Sequence, residues 1–261
     1  LAAGKKLALF GNSAHDIIIG GTGSGDVHEA YSVTLPQGLE NAGYTTDRTL
    51  AQAYAEHIKA AKARRPETHP FLAPPPLPEW VPTVEQIDAA VTANDVGVIT
   101  IGRNSGEFID RKAKDDFYLT EAEQTLIRTV SAAFHKAGKP VVVVLNIGGV
   151  IEVASWRDQI DAILLAWQPG QEAGHAMADV LSGKVNPSGK LTDTFALDLK
   201  DYPAAENFPG VTLLGPDPAA RGGIVINDRA AEVDYRDDIR VGYRHFNTRD
   251  FDVAYPFGYG L

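Results

Sequence analysis

A charged run from Arg103 to Arg111 carries the residues of this chain that are best suited to acid–base chemistry. It follows the apolar, β-branched segment Val96–Ile101, which predicts a buried strand. In an α/β sheet, the loops beyond the carboxyl ends of the strands are where ligands bind. A glutamate on such a loop, here Glu107, could act as a general acid or base. Taken alone, the run favours the alternative that it is an ordinary charged turn.

An alternation of strands and helices predicts the sheet that would position this loop. The predicted strands are Lys6–Gly11, Asp95–Ile101, Val141–Leu145 and Ala162–Trp167. The predicted helices are Thr34–Ala42, Ala51–Arg65, Val84–Ala93, Thr120–Lys136 (with Thr120 and Glu123 as a capping box), Ile151–Trp156 and Glu172–Leu181. The unbroken Val and Leu residues of the third strand are typical of a parallel strand buried on both faces. We therefore predict an α/β fold: a doubly wound, mostly parallel six-stranded sheet sandwiched between helices in Rossmann-like layers, with an irregular C-terminal tail.

The domain organisation follows from where this alternation stops. We predict an α/β-sandwich domain over residues 1–200, and an irregular extension over residues 201–261 that completes it and leads toward an absent following domain. The proline-rich stretch Pro66–Pro82 is predicted to be either an ordered surface excursion or a flexible insertion. Because the first residue is Leu1 rather than Met, we expect the chain to be an excised or processed piece of a longer protein.

Composition excludes several classes of function. The 261 residues include 24 basic and 34 acidic side chains, for a formal net charge of −10, and no basic stripe is present. Since nucleic-acid surfaces need clustered Lys and Arg, we predict no nucleic-acid partner. No apolar run approaches the length of a membrane span, so we predict no membrane partner. The chain has no cysteine, which excludes disulfides and thiolate metal sites.

Two glycine-rich segments resemble phosphate-binding loops only superficially. Gly21–Gly25 has the spacing G-x-G-x-G rather than the dinucleotide pattern G-x-G-x-x-G. Gly183–Leu191 has one residue too many between its glycines, and Leu191 stands where Ser or Thr must reach magnesium. The histidines show no HExxH or other paired metal-ligand spacing, and no Gly-x-Ser-x-Gly elbow occurs. A nucleotide-binding module stays open only as a weaker alternative.

Nine segments in order along nearly the whole chain give a more specific indication. They are Leu7–Gly11, Gly20–Asp26, Ser105–Glu107 with Asp110–Arg111, Phe117–Leu119, Val141–Gly148, Trp167–Glu172, Asn186–Leu191, Val241–Arg244 and Phe257–Leu261. Together they resemble the C-terminal α/β-sandwich domain of the family 3 glycoside hydrolases, the β-glucosidase group.

The resemblance implies a domain of a retaining β-glycosidase that hydrolyses O-glycosidic bonds in a β-linked glycoside or oligosaccharide. It places Glu107 as the catalytic acid/base, and it places the nucleophile on an absent (β/α)₈ barrel domain of the same parent chain. Phe108 stands where the family usually has glycine, and Arg236 stands where many relatives have an acidic residue. No cofactor and no metal are implied. Because one of the two carboxylates is missing, we expect the isolated chain to be inactive.

The resemblance also turns the glycine loop into the rim of the active site. The predicted substrate-binding residues are Gly23, Ser24, Gly25, Asp26, Arg103 and Asp110. Small residues on this rim would let backbone approach a sugar, and Asp26 could either bind a hydroxyl or hold the loop. The alternative from another class is a non-catalytic carbohydrate-binding or structural domain in which the loop of Glu107 is only scaffold.

Overall fold

Five parallel strands form the central sheet. The computed structural model describes residues 1–68, 74–107, 111–208, 210–212 and 231–261. The strands are β1 (Lys6–Phe10), β2 (Thr45–Thr46), β3 (Val96–Arg103), β4 (Val141–Ile147) and β5 (Ala162–Leu165), paired in the order β2-β1-β3-β4-β5. The predicted α/β class and mostly parallel sheet are confirmed. The predicted number of strands is wrong for the described residues, which give this sheet five strands rather than six. The strands that follow residue 191 pair into small antiparallel sheets instead.

Seven α-helices accompany these strands within the described ranges. They are α1 (Asn12–His15), α2 (Leu35–Asn41), α3 (Arg48–Arg64), α4 (Val84–Ala93), α5 (Glu121–Lys136), α6 (Ala173–Leu181) and α7 (Tyr243–Arg249). The prediction of a helix over Ile151–Trp156 is wrong. Residues 154–156 form a turn there, and a short 3₁₀ helix follows at Arg157–Gln159. Apolar spacing over six residues cannot separate one helical turn from an irregular buried segment, which explains the error.

Capping boxes fix where three of the helices begin. Thr34, Thr83 and Thr120 each accept a hydrogen bond from the backbone N–H three residues later, and the side chain at that third position bonds back. In α5 the returning side chain is Glu123, so the predicted capping box is confirmed. These caps satisfy donors that a helix N-terminus would otherwise leave unpaired.

Apolar side chains cover the central sheet on both faces. On one face, Leu7 and Leu9 belong to a buried cluster that includes Leu39 of α2 and Met177 of α6. On the other face, Phe10 meets Phe134 of α5 edge to face, with ring centroids 6.1 Å apart. Every residue of β4 is buried, as the run of Val and Leu predicted.

Helices α2 and α6 are packed so closely that two glycines are required between them. A Cβ added to Gly38 would lie 2.0 Å from the carbonyl oxygen of Gly174. A Cβ added to Gly174 would lie 2.0 Å from the carbonyl oxygen of Thr34. Because both obstacles are backbone atoms, neither contact can be relieved by rotating a side chain. The hydrogen bond from the Gly174 N–H to the Val33 carbonyl, 2.9 Å, holds the same junction.

The chain divides into two compact units. The first is Leu1–Gly149 with Ser155–Pro187, and it contains the whole five-stranded sheet. The second is Val150–Ala154 with Ser188–Leu261. Its described residues include the antiparallel pair β6 (Phe195–Ala196) and β9 (Val253–Tyr255), the pair β7 (Val211–Thr212) and β8 (Ala231–Glu232), and α7. Over the described residues, none of the helices combines the length and apolar character that crossing a bilayer would require.

The order of the strands fixes where a ligand site can form in the first unit. From β1 the chain crosses to β2 on one side of it, and then returns to β3 on the other side. The connections that leave β1 and β3 therefore lead to opposite sides of the sheet, and their first loops begin side by side at its carboxyl edge. In open α/β sheets, such a topological switch point is where ligands bind.

Candidate functional site

The glycine-rich loop after β1 and the charged loop after β3 meet at this switch point. The backbone N–H of Thr22 donates to the carbonyl oxygen of Ser105 over 2.8 Å. The hydroxyl of Thr22 donates to the same oxygen over 3.2 Å. Two segments more than 80 residues apart in sequence are thus joined two residues before Glu107.

Glu107 is the carboxylate at the centre of this junction. Its Oε1 accepts a hydrogen bond from the backbone N–H of Ser24 over 2.9 Å. The Ser24 side chain and the Ser24 N–H together hold the pKa of Glu107 below its usual value, because both stabilise the ionised form. The side chain is half-buried and reaches solvent. The structure therefore presents an ionised, accessible carboxylate that the opposite loop orients.

Gly23 shows how closely the glycine loop approaches this carboxylate. Its φ of 79° lies in the left-handed region, where a side chain is disfavoured. A Cβ at this position would also lie 2.8 Å from Cγ of Glu107. Both the backbone conformation and the space beside Glu107 therefore require glycine.

The other predicted rim residues lie on the same short segment. Gly23–Gly25 forms a 3₁₀ turn, and the N–H of Asp26 closes it by donating to the Gly23 carbonyl over 3.0 Å. Ser24, Gly25 and Asp26 are exposed, and a Cβ added to Gly25 would meet open space. The structure brings these residues together with Glu107, while their contacts with a sugar stay a prediction.

Arg103 occupies a different environment from the rim. It is only 8% exposed, and its guanidinium makes a two-pronged ion pair with Glu123 at 2.5 and 2.7 Å. Its Nε donates to the carbonyl oxygen of Asp116 over 2.8 Å. Arg103 thus ties the end of β3 to the start of α5 beneath the loop of Glu107. Its predicted contact with substrate stays a prediction. Asp110 lies outside the described residues, as does Phe108.

Three residues that sequence reasoning left without a role complete the junction. The Ser105 hydroxyl donates to Oε1 of Gln168 over 3.1 Å. Nε2 of Gln168 donates to Oδ1 of Asn104 over 3.3 Å, and the Ser105 N–H donates to the same oxygen over 2.8 Å. Gln168 follows β5, so the loop beyond β5 also supports the loop that carries Glu107.

Asn146 connects the loops after β1 and β5 from below. It is fully buried at the carboxyl end of β4. Its Oδ1 accepts from the Ile18 N–H, and its Nδ2 donates to the carbonyls of Ile18 and Trp167, all at 2.8 Å. The sequence did contain a signal for this residue, since it is the single polar side chain in the apolar strand Val141–Ile147. A buried amide with three hydrogen bonds has a fixed orientation.

A second carboxylate, Glu79, lies close to the carboxyl end of β1. It belongs to the proline-rich stretch, which is part of the first unit. Its Oε1 accepts from the N–H groups of Asn12 and Trp80, each over 3.0 Å. Burial nevertheless raises the pKa of Glu79 to about 8. Glu79 is therefore a neutral, structural carboxyl group at pH 7, unlike the ionised Glu107.

The chemistry that the junction of these two loops offers is thus that of the Glu107 carboxylate. In the part of the chain that the structure describes, no group of three or more His, Asp or Glu side chains could hold a metal ion. A single carboxylate can donate or accept a proton, but a retaining glycosidase mechanism needs a second one roughly 5–5.5 Å away.

Comparisons with known proteins identify the family of this chain. The sequence profile described as the glycosyl hydrolase family 3 C-terminal domain matches residues 1–261. Beta-glucosidase A of Butyrivibrio fibrisolvens is 39% identical over 290 residues, which cover 99% of this chain and 31% of that protein. An exo-alpha-(1->6)-L-arabinopyranosidase of Bifidobacterium longum is 34% identical over 67% of this chain and 20% of its own length.

A solved structure extends the similarity to the fold. Beta-glucosidase 3B from Thermotoga neapolitana, in complex with glucose, is 44% identical to this chain and superposes with a TM-score of 0.88. The match covers 100% of this chain and 34% of that one. The chain thus spans about a third or less of the length of these relatives. It belongs to the C-terminal domain family of the family 3 glycosyl hydrolases.

Proposed function

We propose that this chain supplies the general acid/base, Glu107, to a retaining β-glycosidase whose nucleophile lies on a (β/α)₈ barrel domain of the same parent protein. The observation that carries the proposal is the placement of Glu107. It is an accessible carboxylate at the switch point, oriented from the opposite loop by the Ser24 N–H at 2.9 Å. The shared family and the beta-glucosidase names of the relatives support the same reaction class.

Glu107 would act twice in this mechanism. In the first step the barrel carboxylate attacks the anomeric carbon, the glycosidic bond breaks, and the proton of Glu107 passes to the departing oxygen. In the second step the ionised Glu107 takes a proton from water as that water attacks the glycosyl ester. The free sugar and the original protonation states are then restored.

The first step requires a protonated Glu107, although Ser24 stabilises the ionised form. A second carboxylate within about 5.5 Å resolves this conflict, since like charges at that distance raise the pKa of one of the pair. Formation of the glycosyl ester neutralises that second carboxylate. The pKa of Glu107 then falls, as its role as a base requires.

The proposed substrate is a β-linked glycoside or oligosaccharide. The relatives are named mostly as beta-glucosidases, and two are named as exo-alpha-(1->6)-L-arabinopyranosidases, so the sugar preference within the family varies. We assign contacts with the substrate to the rim formed by Gly23, Ser24, Gly25 and Asp26. Asp110 and Arg103 are included in this proposal as residues of the second loop and its base.

Substitution of Glu107 in the full-length protein tests the assignment. Glu107→Gln should slow hydrolysis of a disaccharide by roughly 10²–10⁴-fold, because a poor leaving group depends on protonation. A nitrophenyl glycoside, which leaves without a proton, should be affected far less. Glu107→Ala should recover turnover of the activated substrate when azide is added, because azide attacks the glycosyl-enzyme without a base.

Glu121→Gln provides the matched control, because Glu121 is an exposed glutamate in the first turn of α5. It should leave both substrates unaffected. Equal slowing of both substrates by Glu107→Gln, or of neither, would assign the acid/base to another residue, with Asp110 as the next to substitute. Catalysis unaffected by any substitution in this chain would instead favour the non-catalytic, carbohydrate-binding or structural alternative.

A further inference from the structure

The loop that carries Glu107 is supported by Gln168, which lies 61 positions later in the loop that follows β5. Gln168 bonds both residues at the base of this loop, accepting from the Ser105 hydroxyl over 3.1 Å and donating to Asn104 Oδ1 over 3.3 Å. Its amide therefore fixes two successive residues at once. Ser105 is also bound on the other side by Thr22, at 2.8 Å to its carbonyl oxygen. The base of the loop is thus held between the loops that follow β1 and β5.

Little space is available for this support to shift. Gly148, directly after β4, faces the same contact, and a Cβ there would lie 2.7 Å from Oγ of Ser105 and 2.9 Å from Nε2 of Gln168. The Gly148 N–H also donates to the Arg103 carbonyl over 2.9 Å. The Ser105–Gln168 hydrogen bond therefore lies against backbone, and a small residue at position 148 is what permits it.

The backbone that presents Gln168 is itself held in an unfavourable conformation. Trp167 has φ 52°, in the left-handed region, which bulky side chains rarely adopt. Its carbonyl oxygen accepts from Nδ2 of the buried Asn146 over 2.8 Å. Residues that keep such a conformation do so because their surroundings over-determine it, and they concentrate at functional sites. Here the strained residue immediately precedes Gln168.

We infer that Gln168 is a positioning residue for the acid/base, acting through Ser105 and Asn104. This inference rests on the proposed role of Glu107. Proton transfer to a departing oxygen is sensitive to geometry, and a displacement of about 1 Å can cost on the order of 10²-fold in rate. Without the Gln168 side chain, the Ser105 hydroxyl loses its acceptor and Asn104 Oδ1 loses one donor. The loop that carries Glu107 can then shift out of its position. The nucleophilic step is not affected directly.

Leaving-group dependence in the full-length protein tests this role. Gln168→Ala should lower kcat for a disaccharide by roughly 10- to 100-fold, with a much smaller loss for a nitrophenyl glycoside, and KM should change little. Across a series of aryl glycosides, the loss should grow as the pKa of the leaving phenol rises. Gln168→Glu keeps an acceptor for the Ser105 hydroxyl and should restore part of the rate. A merely structural role would slow all substrates alike.

Ser105→Ala removes the same hydrogen bond from the other side and serves if the Gln168 variants do not fold. It should reproduce the leaving-group dependence, and the two alanine changes together should cost no more than about the larger of the single changes. Gln171→Ala is the matched control. Gln171 lies in the same segment, but its side chain bonds Tyr31 rather than Ser105.

Glu107→Gln, measured in parallel, separates the two claims. If Glu107→Gln shows leaving-group dependence while both Gln168→Ala and Ser105→Ala slow every substrate equally or not at all, the positioning role is refuted and the acid/base assignment stands. If Glu107→Gln itself shows no such dependence, the proposed function fails, and the positioning role fails with it.

Discussion

Glu79 makes the stability of the first unit depend on pH in a direction opposite to that of an ordinary ion-paired carboxylate. Burial raises its pKa from 4.5 to about 8, with a further increase from Glu123, while the N–H of Asn12, the N–H of Trp80 and the charge of Arg103 oppose the increase. The folded chain thus retains a proton that the unfolded chain has already lost between these two values. Stability therefore falls as pH rises through this range.

The difference between 4.5 and about 8 sets the size of the effect. At about 1.4 kcal/mol per pH unit, it corresponds to an upper value of about 5 kcal/mol. Because the side chain of Glu79 is only half-buried, we expect about 3 to 5 kcal/mol to be lost between pH 4.5 and 8. Below pH 4.5 both states are protonated at this group, so its full contribution to stability is present there.

Glu79→Gln should abolish this loss. A glutamine Oε1 can still accept from the N–H groups of Asn12 and Trp80, and its amide replaces the carboxyl hydroxyl without ionising. The variant should match the wild type near pH 4.5 and exceed its unfolding free energy by several kcal/mol at pH 8.

Urea unfolding followed by tryptophan fluorescence is the appropriate assay. All three tryptophans, Trp80, Trp156 and Trp167, lie in the first unit, and Trp80 adjoins Glu79. Glu67→Gln, at an exposed position near the start of the same proline-rich stretch, is the control and should follow the wild type at every pH. Parallel pH curves for Glu79→Gln and wild type, or a variant that is less stable throughout, would refute the reasoning.

Two further predictions concern close contacts. Gly174→Ala should lower the free energy of unfolding by at least about 1–3 kcal/mol in thermal or urea unfolding, because the added Cβ would lie 2.0 Å from the Thr34 carbonyl oxygen. Gly183→Ala is the control: Gly183 has a φ of 76° but open space around it, so this substitution should cost less. Ser24→Ala removes a side-chain hydrogen bond that lowers the pKa of Glu107, so the basic limb of the kcat/KM profile of the full-length protein should move to higher pH. An unmoved limb would mean that Ser24 does not bond the acid/base during catalysis.

Local patterns were sufficient to predict most of the central sheet. The run Val141–Leu145 lies within β4, the helix Val84–Ala93 has the predicted bounds, and the capping box of Thr120 and Glu123 is present. These features depend on neighbouring residues, so their periodicity and composition contain the information. The edge strand β2, Thr45–Thr46, is too short to show a periodic sequence pattern, and its pairing is decided by tertiary contacts.

The site was predictable in part for the same reason. Glu107 and the glycine loop could be identified as motifs, but their hydrogen bond could not, since it joins residues 83 positions apart. Gln168 had no predicted role for this reason: its partners, Asn104 and Ser105, precede it by more than 60 residues. Which polar groups meet at the carboxyl edge depends on strand order, which the spacing of residues along the chain does not specify.

The two glutamates of the first unit show how one fold can hold two carboxyl groups in opposite states. Burial raises the pKa of Glu79, which keeps its proton, whereas two hydrogen bonds from Ser24 lower the pKa of the solvent-accessible Glu107, which releases its proton. If Glu107 is the acid/base, the contacts within this chain stabilise its ionised form, which is the form that acts as a base. On the proposed mechanism, the acid form would be favoured by the nucleophile carboxylate of the barrel domain. In the proposed mechanism, each domain would therefore favour one protonation state of Glu107. The hydrogen bonds of this chain favour the ionised base, and the negative charge of the barrel carboxylate would favour the protonated acid.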